Sequence, residues 1–193
     1  CQAPAQRPAS RMTAAAAWQA LQEGNARYVA NAMRHRDFGA NRMALVQGQH
    51  PIAVILSCAD SRVAPELLFD QAPGDLFVIR VAGNFVNVDG LASIEYGVEF
   101  LGVPLVVVLG HSSCGAVEAA IKVLKDDIDL PAHLPFLVLP ILRAVNEAQR
   151  KNPGNLLETA VGHNAQNQAA QLVSMSPIVG KYVASKEVMV VSA

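Results

Sequence analysis

Cysteine is scarce in this chain. Three occur in 193 residues, at Cys1, Cys58 and Cys114, too few for a disulfide framework in a domain of this size. Two of them lie deep in the chain, each following an apolar run, where metal binding or catalysis is the better reading than a disulfide. Aromatic residues make up only 5% of the chain, and no basic run is interleaved with rings. The formal net charge is −1, from 15 basic and 16 acidic residues. Nothing in that balance attracts a polyanion, which argues against nucleic acid and against an anionic membrane surface as partners. No apolar run approaches the roughly 20 residues needed to span a bilayer. The longest runs, Ile52 to Leu56 and Leu105 to Leu109, are short and mostly β-branched, and read as buried strands. With 52% hydrophobic and 16% charged residues, the chain is globular rather than disordered, and its length suits one domain with a real core.

Residues 1–12 are rich in Pro, Ala, Gln and Ser and read as a flexible tail, leaving 13–193 as the domain. The leading Cys1, with no methionine before it, favours an exported or periplasmic protein anchored through a lipid on that cysteine; a cytoplasmic protein is the alternative. Thr13 is a candidate N-cap for an amphipathic helix running to about Asn31, with Trp18, Leu21, Asn25 and Tyr28 at helical spacing. Residues 34–48 form a connector with a short helical piece.

The centre alternates between strands and helices. Strands are expected at Ile52 to Ser57, Leu76 to Val81, Leu105 to Leu109 and Glu187 to Val191. Helices are expected at Pro65 to Asp70, Gly90 to Leu101, Ser113 to Lys125, Ile141 to Arg150 and Leu156 to Ser174, with a shorter one from Pro177. The strands are near-continuous apolar runs, the pattern of a parallel sheet covered on both faces. The fold class is therefore α/β: a single domain with a central, mostly parallel sheet of four to five strands, helices on both faces and an N-terminal helical arm.

In open α/β sheets ligands collect beyond the C-terminal ends of the strands. The first strand is followed there by Ser57-Cys58-Ala59-Asp60-Ser61-Arg62, the third by Gly110-His111-Ser112-Ser113-Cys114-Gly115. Thiolate sulfur and imidazole nitrogen together bind Zn2+ well. His111 and Cys114 are three residues apart across a loop-to-helix turn and can reach one ion, with Cys58 joining from the next strand. Three protein ligands leave a coordination position open, as catalytic zinc sites do. Alone, a His-x-x-Cys is a common accident, a buried Cys is usually a small hydrophobe, and Asp60 with Arg62 is an ordinary loop ion pair. Their convergence at two strand ends is what carries weight.

Cys58-Ala59-Asp60-Ser61-Arg62 and His111-Ser112-Ser113-Cys114-Gly115 resemble the two signature motifs of the β-class carbonic anhydrases. Gly24-Asn25-Ala26-Arg27-Tyr28, Gly74-Asp75-Leu76-Phe77-Val78-Ile79-Arg80, Ala82-Gly83-Asn84 and Ser93-Ile94-Glu95-Tyr96 extend the likeness over most of the chain from about residue 13. The resemblance implies a bacterial zinc lyase with one Zn2+ per chain on Cys58, His111 and Cys114. It would hydrate CO2 reversibly to bicarbonate and a proton by attack of zinc-bound hydroxide. Asp60 would accept the hydroxide's proton and Arg62 would hold Asp60 in place and ionised.

By position against the family motifs, Phe77, Ala82 and Tyr96 would line an apolar CO2 pocket, although Phe77 and Tyr96 suit core packing as well. Gln49 would offer its amide to bicarbonate across a dimer interface, and the Gly115 N–H would face an oxyanion. The family's closed form, in which the aspartate sits on the metal, carries tryptophan and glycine where this chain has Ile55 and Ser57. The open form is expected, with Asp60 a ligand only if the site closed. His50, His133 and His163 are candidate proton carriers by residue type alone. Family members usually continue past residues 187–193 with an edge strand that contributes to association. A homodimer is expected, with a tetramer as the alternative. Rival readings are a CS2 or COS hydrolase on the same scaffold and a zinc-binding domain without turnover, for which Asp60 and Arg62 would be superfluous. A thiol redox protein is disfavoured by the lack of a Cys-x-x-Cys pair.

Overall fold

The structure is a computed structural model and describes residues 7–151 and 154–193. Cys1 and the lipid anchor expected on it lie outside the described residues. Four parallel strands form one sheet in the order β2-β1-β3-β4. They are β1 (Ala53–Ser57), β2 (Leu76–Arg80), β3 (Leu105–Leu109) and β4 (Met189–Ser192). The register pairs Ile55 with Val78 on one side and with Val107 on the other, and Val106 with Val190. The helices are α1 (Ala14–Val29), α2 (Phe38–Leu45), α3 (Pro65–Leu68), α4 (Val88–Glu99), α5 (Gly115–Asp126), α6 (Pro135–Val138), α7 (Leu142–Arg150), α8 (Leu156–Met175) and α9 (Pro177–Ala184), with a 3-10 turn at Leu139–Ile141.

The two central strands are buried on both faces, which is why they read as unbroken apolar runs. Val54, Leu56, Val106 and Val108 point to one face and pack with Ile94 and Val98 of α4, Leu172 of α8 and Val179 of α9. Ala53, Ile55, Leu105 and Val107 point to the other, against Ala17 and Leu21 of α1. Each Val, Leu or Ile among them, wholly removed from water, contributes about 1.5–3 kcal/mol. On α1 the buried stripe is Ala17, Leu21 and Gly24. Gly24 is required because a Cβ there would lie 1.8 Å from the Phe69 carbonyl oxygen. Asn25 donates to the Leu68 carbonyl at 3.0 Å, while Tyr28 faces outward.

Local chemistry moves several element ends from their sequence positions. Asn87 accepts from the Gly90 N–H at 2.8 Å, so α4 begins at Val88. Ser113 is left-handed, φ 54°, so α5 starts at Gly115. Glu187 and Val188 still donate to the Tyr182 carbonyl that ends α9, and the β4 ladder opens with Met189 donating to Pro104. Within the expected tail, Arg7 lies against the body, donating to the carbonyls of Val98 and Val103 at 2.9 Å and stacking over Tyr182.

Candidate metal centre

A third apolar cluster fills the space beyond the C-terminal ends of β1 and β3. It contains Cys58 and Cys114 with Val117, Ala120, Ile141, Val145 and Val161 from α5, the 3-10 turn, α7 and α8. Cys58 directly follows the last residue of β1. His111 lies two residues beyond β3, and Cys114 caps α5. One ligand atom from each of Cys58, His111 and Cys114 lies within 4.8 Å of the other two. Both thiols are buried and free of disulfide.

One atom of the donor set, His111 Nε2, has no hydrogen-bond partner among the described residues. His111 Nδ1 lies 2.9 Å from the Ser112 carbonyl. A carbonyl only accepts, so Nδ1 carries the proton and Nε2 presents its lone pair. That Nε2 is buried. The neighbouring Cys114 thiol lowers Cys58, against the opposing cost of burial, and the N–H of Gly83 lowers it further. Cys58 in turn pushes Cys114 up, and burial adds to the rise. Two thiolates can coexist here only beside a compensating cation. An orphaned imidazole nitrogen and two sulfurs in one apolar pocket match the ligand chemistry of Zn2+.

Asp60 sits at the mouth of this pocket. Its Oδ1 accepts from Arg62 Nε at 2.9 Å and from the Arg62 backbone N–H at 3.0 Å, and its Oδ2 accepts from Nη2 at 2.7 Å. The Arg62 fork holds the Asp60 carboxyl well below the usual carboxylate range, and Asp60 in turn raises Arg62. Oδ2 is 3.9 Å from His111 Nε2. Asp60 is outside the close group of Cys58, His111 and Cys114.

Other sequence-derived positions divide. Ala82 adjoins Gly83, whose N–H meets Cys58 Sγ at 3.3 Å. Gly115 opens α5, with free space where a Cβ would go. Phe77 lies mid-strand in β2, opposite Val54, packed against the core. Tyr96 is 6.0 Å from it between ring centroids and half exposed on α4. Gln49 and Tyr96 line a groove of about 600 Å³ with Leu45, Gly48, Gly74 and Leu101. Cys58, His111 and Cys114 are not among the residues lining that groove. His163 lies 3.9 Å from Glu147, His133 stacks on Phe136, and His50 lines a cavity with Arg11 and Asp75; none joins the ligand cluster.

Three supporting residues carry no role in the sequence reading. Arg80 donates to the carbonyls of Cys58, at 2.9 Å, and Asp60. Glu158 of α8 accepts from the Ser113 N–H at 3.2 Å, while Arg62 reaches the Ser113 carbonyl at 3.3 Å. Asn164 of α8 donates to the Gly83 carbonyl at 2.8 Å. Arg80 closes a strand beside the Cys58 loop and is discoverable by position. Glu158 and Asn164 come from a helix far along the chain and leave no local signal.

A family model described as carbonic anhydrase matches residues 53–193. Carbonic anhydrase 2 of Mycobacterium tuberculosis is 54% identical over 112 residues, which cover 58% of this chain and 54% of that protein. The chain thus spans about half the length of these curated relatives. Among solved structures, the β-carbonic anhydrase CcaA superposes with a TM-score of 0.70 at 29% identity, covering 91% of this chain and 88% of that one. Two tetrameric β-carbonic anhydrases from the ascomycete Sordaria macrospora share the fold, with a TM-score of 0.70 at 24% identity, covering 91% of this chain and 89% of theirs. From its ligand cluster, its parallel sheet and these matches, the chain belongs to the β-carbonic anhydrase family.

Proposed function

We propose that this protein hydrates CO2 reversibly to bicarbonate, using Zn2+ held by Cys58, His111 and Cys114. The observation that carries the reading is the buried His111 Nε2, without a hydrogen-bond partner among the described residues, within 4.8 Å of the Cys58 and Cys114 sulfurs. Bound there, zinc supplies a Lewis acid that makes water nucleophilic near neutral pH. The protein's own groups do the rest. Asp60, ionised, offers only acceptors, so it would accept a hydrogen bond from the attacking oxygen and turn that oxygen's lone pair toward carbon. Arg62 fixes the carboxylate from two sides and leaves Oδ2 facing His111. The apolar wall from Val117, Ile141 and Val161 suits a substrate without charge. The Gly115 N–H, at the start of α5, suits the negative oxygen of the product.

The substrate pocket is proposed to be completed in a homodimer. Gln49 and Tyr96 line a groove apart from the ligands, and Leu45 and Tyr96 are exposed apolar surface there. A tetramer, as in the Sordaria macrospora proteins, is the alternative, and sedimentation velocity separates the two. The activity is tested by stopped-flow CO2 hydration on protein of measured zinc content. Turnover that tracks bound zinc supports the reading. Stoichiometric zinc with background hydration refutes it, and sulfide release from CS2 would then identify the rival substrate.

A further inference from the structure

We propose that Asn164 is a positioning residue of the metal site, acting through Gly83 on the Cys58 sulfur. The inference rests on the metal reading above and adds to it a residue outside the signature motifs.

Asn164 lies in the middle of α8 and is fully buried. A buried amide costs stability unless partnered, and an apolar residue would pack there more cheaply. Its Nδ2 donates to the Gly83 carbonyl at 2.8 Å and lies 3.3 Å from Asn84 Oδ1. On the far side of the same residue, the Gly83 N–H donates to Cys58 Sγ at 3.3 Å. Gly83 is left-handed, φ +86°, and Asn84 follows at φ 40°. A Cβ on Gly83 would stand 2.5 Å from Ile141 Cδ1 and 3.1 Å from Ala116 Cβ. Gly83 is thus held from three directions, and only its two peptide groups carry polar contacts. With its carbonyl tied to Asn164, Gly83 loses freedom at ψ, which restrains the turn that aims its N–H at the sulfur. A hydrogen bond to a thiolate draws charge from it and fixes its direction, which is how supporting groups set a metal ligand's strength.

Gln168, one helical turn on, provides the contrast. It is equally buried, and its Oε1 accepts from the Val86 N–H at 2.9 Å. It stabilises the same loop without touching Gly83, although its Nε2 also donates to Asn164 Oδ1 at a long 3.4 Å. A merely structural role for Asn164 would make the two residues equivalent.

The test compares Asn164→Leu, Asn164→Ser and Gln168→Leu with the parent protein. The readouts are zinc loss to a chelator, the sulfur-to-cobalt charge-transfer band of the Co2+-substituted protein, and Tm without metal. The proposal expects both Asn164 variants to lose zinc about tenfold faster and to shift the cobalt band. Gln168→Leu should lower Tm alone. Asn164 variants that change only Tm, or a Gln168→Leu that matches them in zinc loss and band, overturn the proposal. Parent protein that holds no zinc overturns the metal reading itself. If the Asn164 variants do not fold, 113Cd-loaded parent protein decides: a scalar coupling between the metal and a slowly exchanging Gly83 N–H supports the proposal, and its absence overturns it.

Discussion

Replacing Asp60 by asparagine isolates the hydrogen-bond-accepting role, because the two side chains have the same shape. In the structure Oδ1 receives two N–H groups from Arg62, while Oδ2 receives one and faces His111. An amide has one accepting oxygen. The two donors at the Oδ1 position claim it, which places the NH2 where Oδ2 was. That NH2 then meets Arg62 Nη2 donor to donor, and it presents a proton to the attacking oxygen instead of accepting one. Every polar group needed to hold the metal is unchanged. Asp60→Asn is therefore expected to keep one zinc per chain and lose roughly a hundredfold in kcat, the scale of removing one oriented hydrogen-bonding group from a reaction centre. Stopped-flow CO2 hydration beside zinc analysis is the assay. Full activity in a zinc-replete Asp60→Asn would refute the hydrogen-bond-acceptor role, and loss of zinc would show that Asp60 holds the metal.

Further outcomes follow from other contacts. Cys58→Ala and His111→Ala should each lose zinc and hydration together, measured by elemental analysis and stopped flow; retained activity without metal would contradict the site. Asp70 is fully buried, and against the cost of that burial Arg36 and Arg27 pull its carboxyl down to about 2 from the usual 3.8. Asp70→Asn should cost about 3 kcal/mol in urea unfolding, the lower end for a broken buried pair, since Arg27 and Arg36 stay 23% and 15% exposed and can turn to water. A depressed folded pKa means the stabilisation is complete above about pH 4 and fades as pH falls toward 2; the variant should lack that part of the acid sensitivity. Gly83→Ala should destabilise by roughly 2–5 kcal/mol, from left-handed strain and overlap with Ile141, read as a lowered urea midpoint.

The strands are legible because burial on both faces leaves only one kind of residue along them, and β3 runs over the residues the sequence marks. Element starts are less legible, since caps and single left-handed residues such as Ser113 set them. The ligand trio and the Asp60–Arg62 pair are readable because they sit directly after predicted strands. What supports them is hidden: Glu158 and Asn164 act across 45 and 81 residues of chain, and their own helix context explains neither. Phe77 shows the opposite limit, since an aromatic in a strand looks the same whether it lines a pocket or packs the core.

X-ray absorption at the zinc edge tests the central claim most directly. The account predicts one zinc per chain with two sulfurs at about 2.3 Å and one imidazole nitrogen at about 2.0–2.1 Å. A purified, folded protein with no zinc, or with zinc surrounded by nitrogen and oxygen alone, would contradict it.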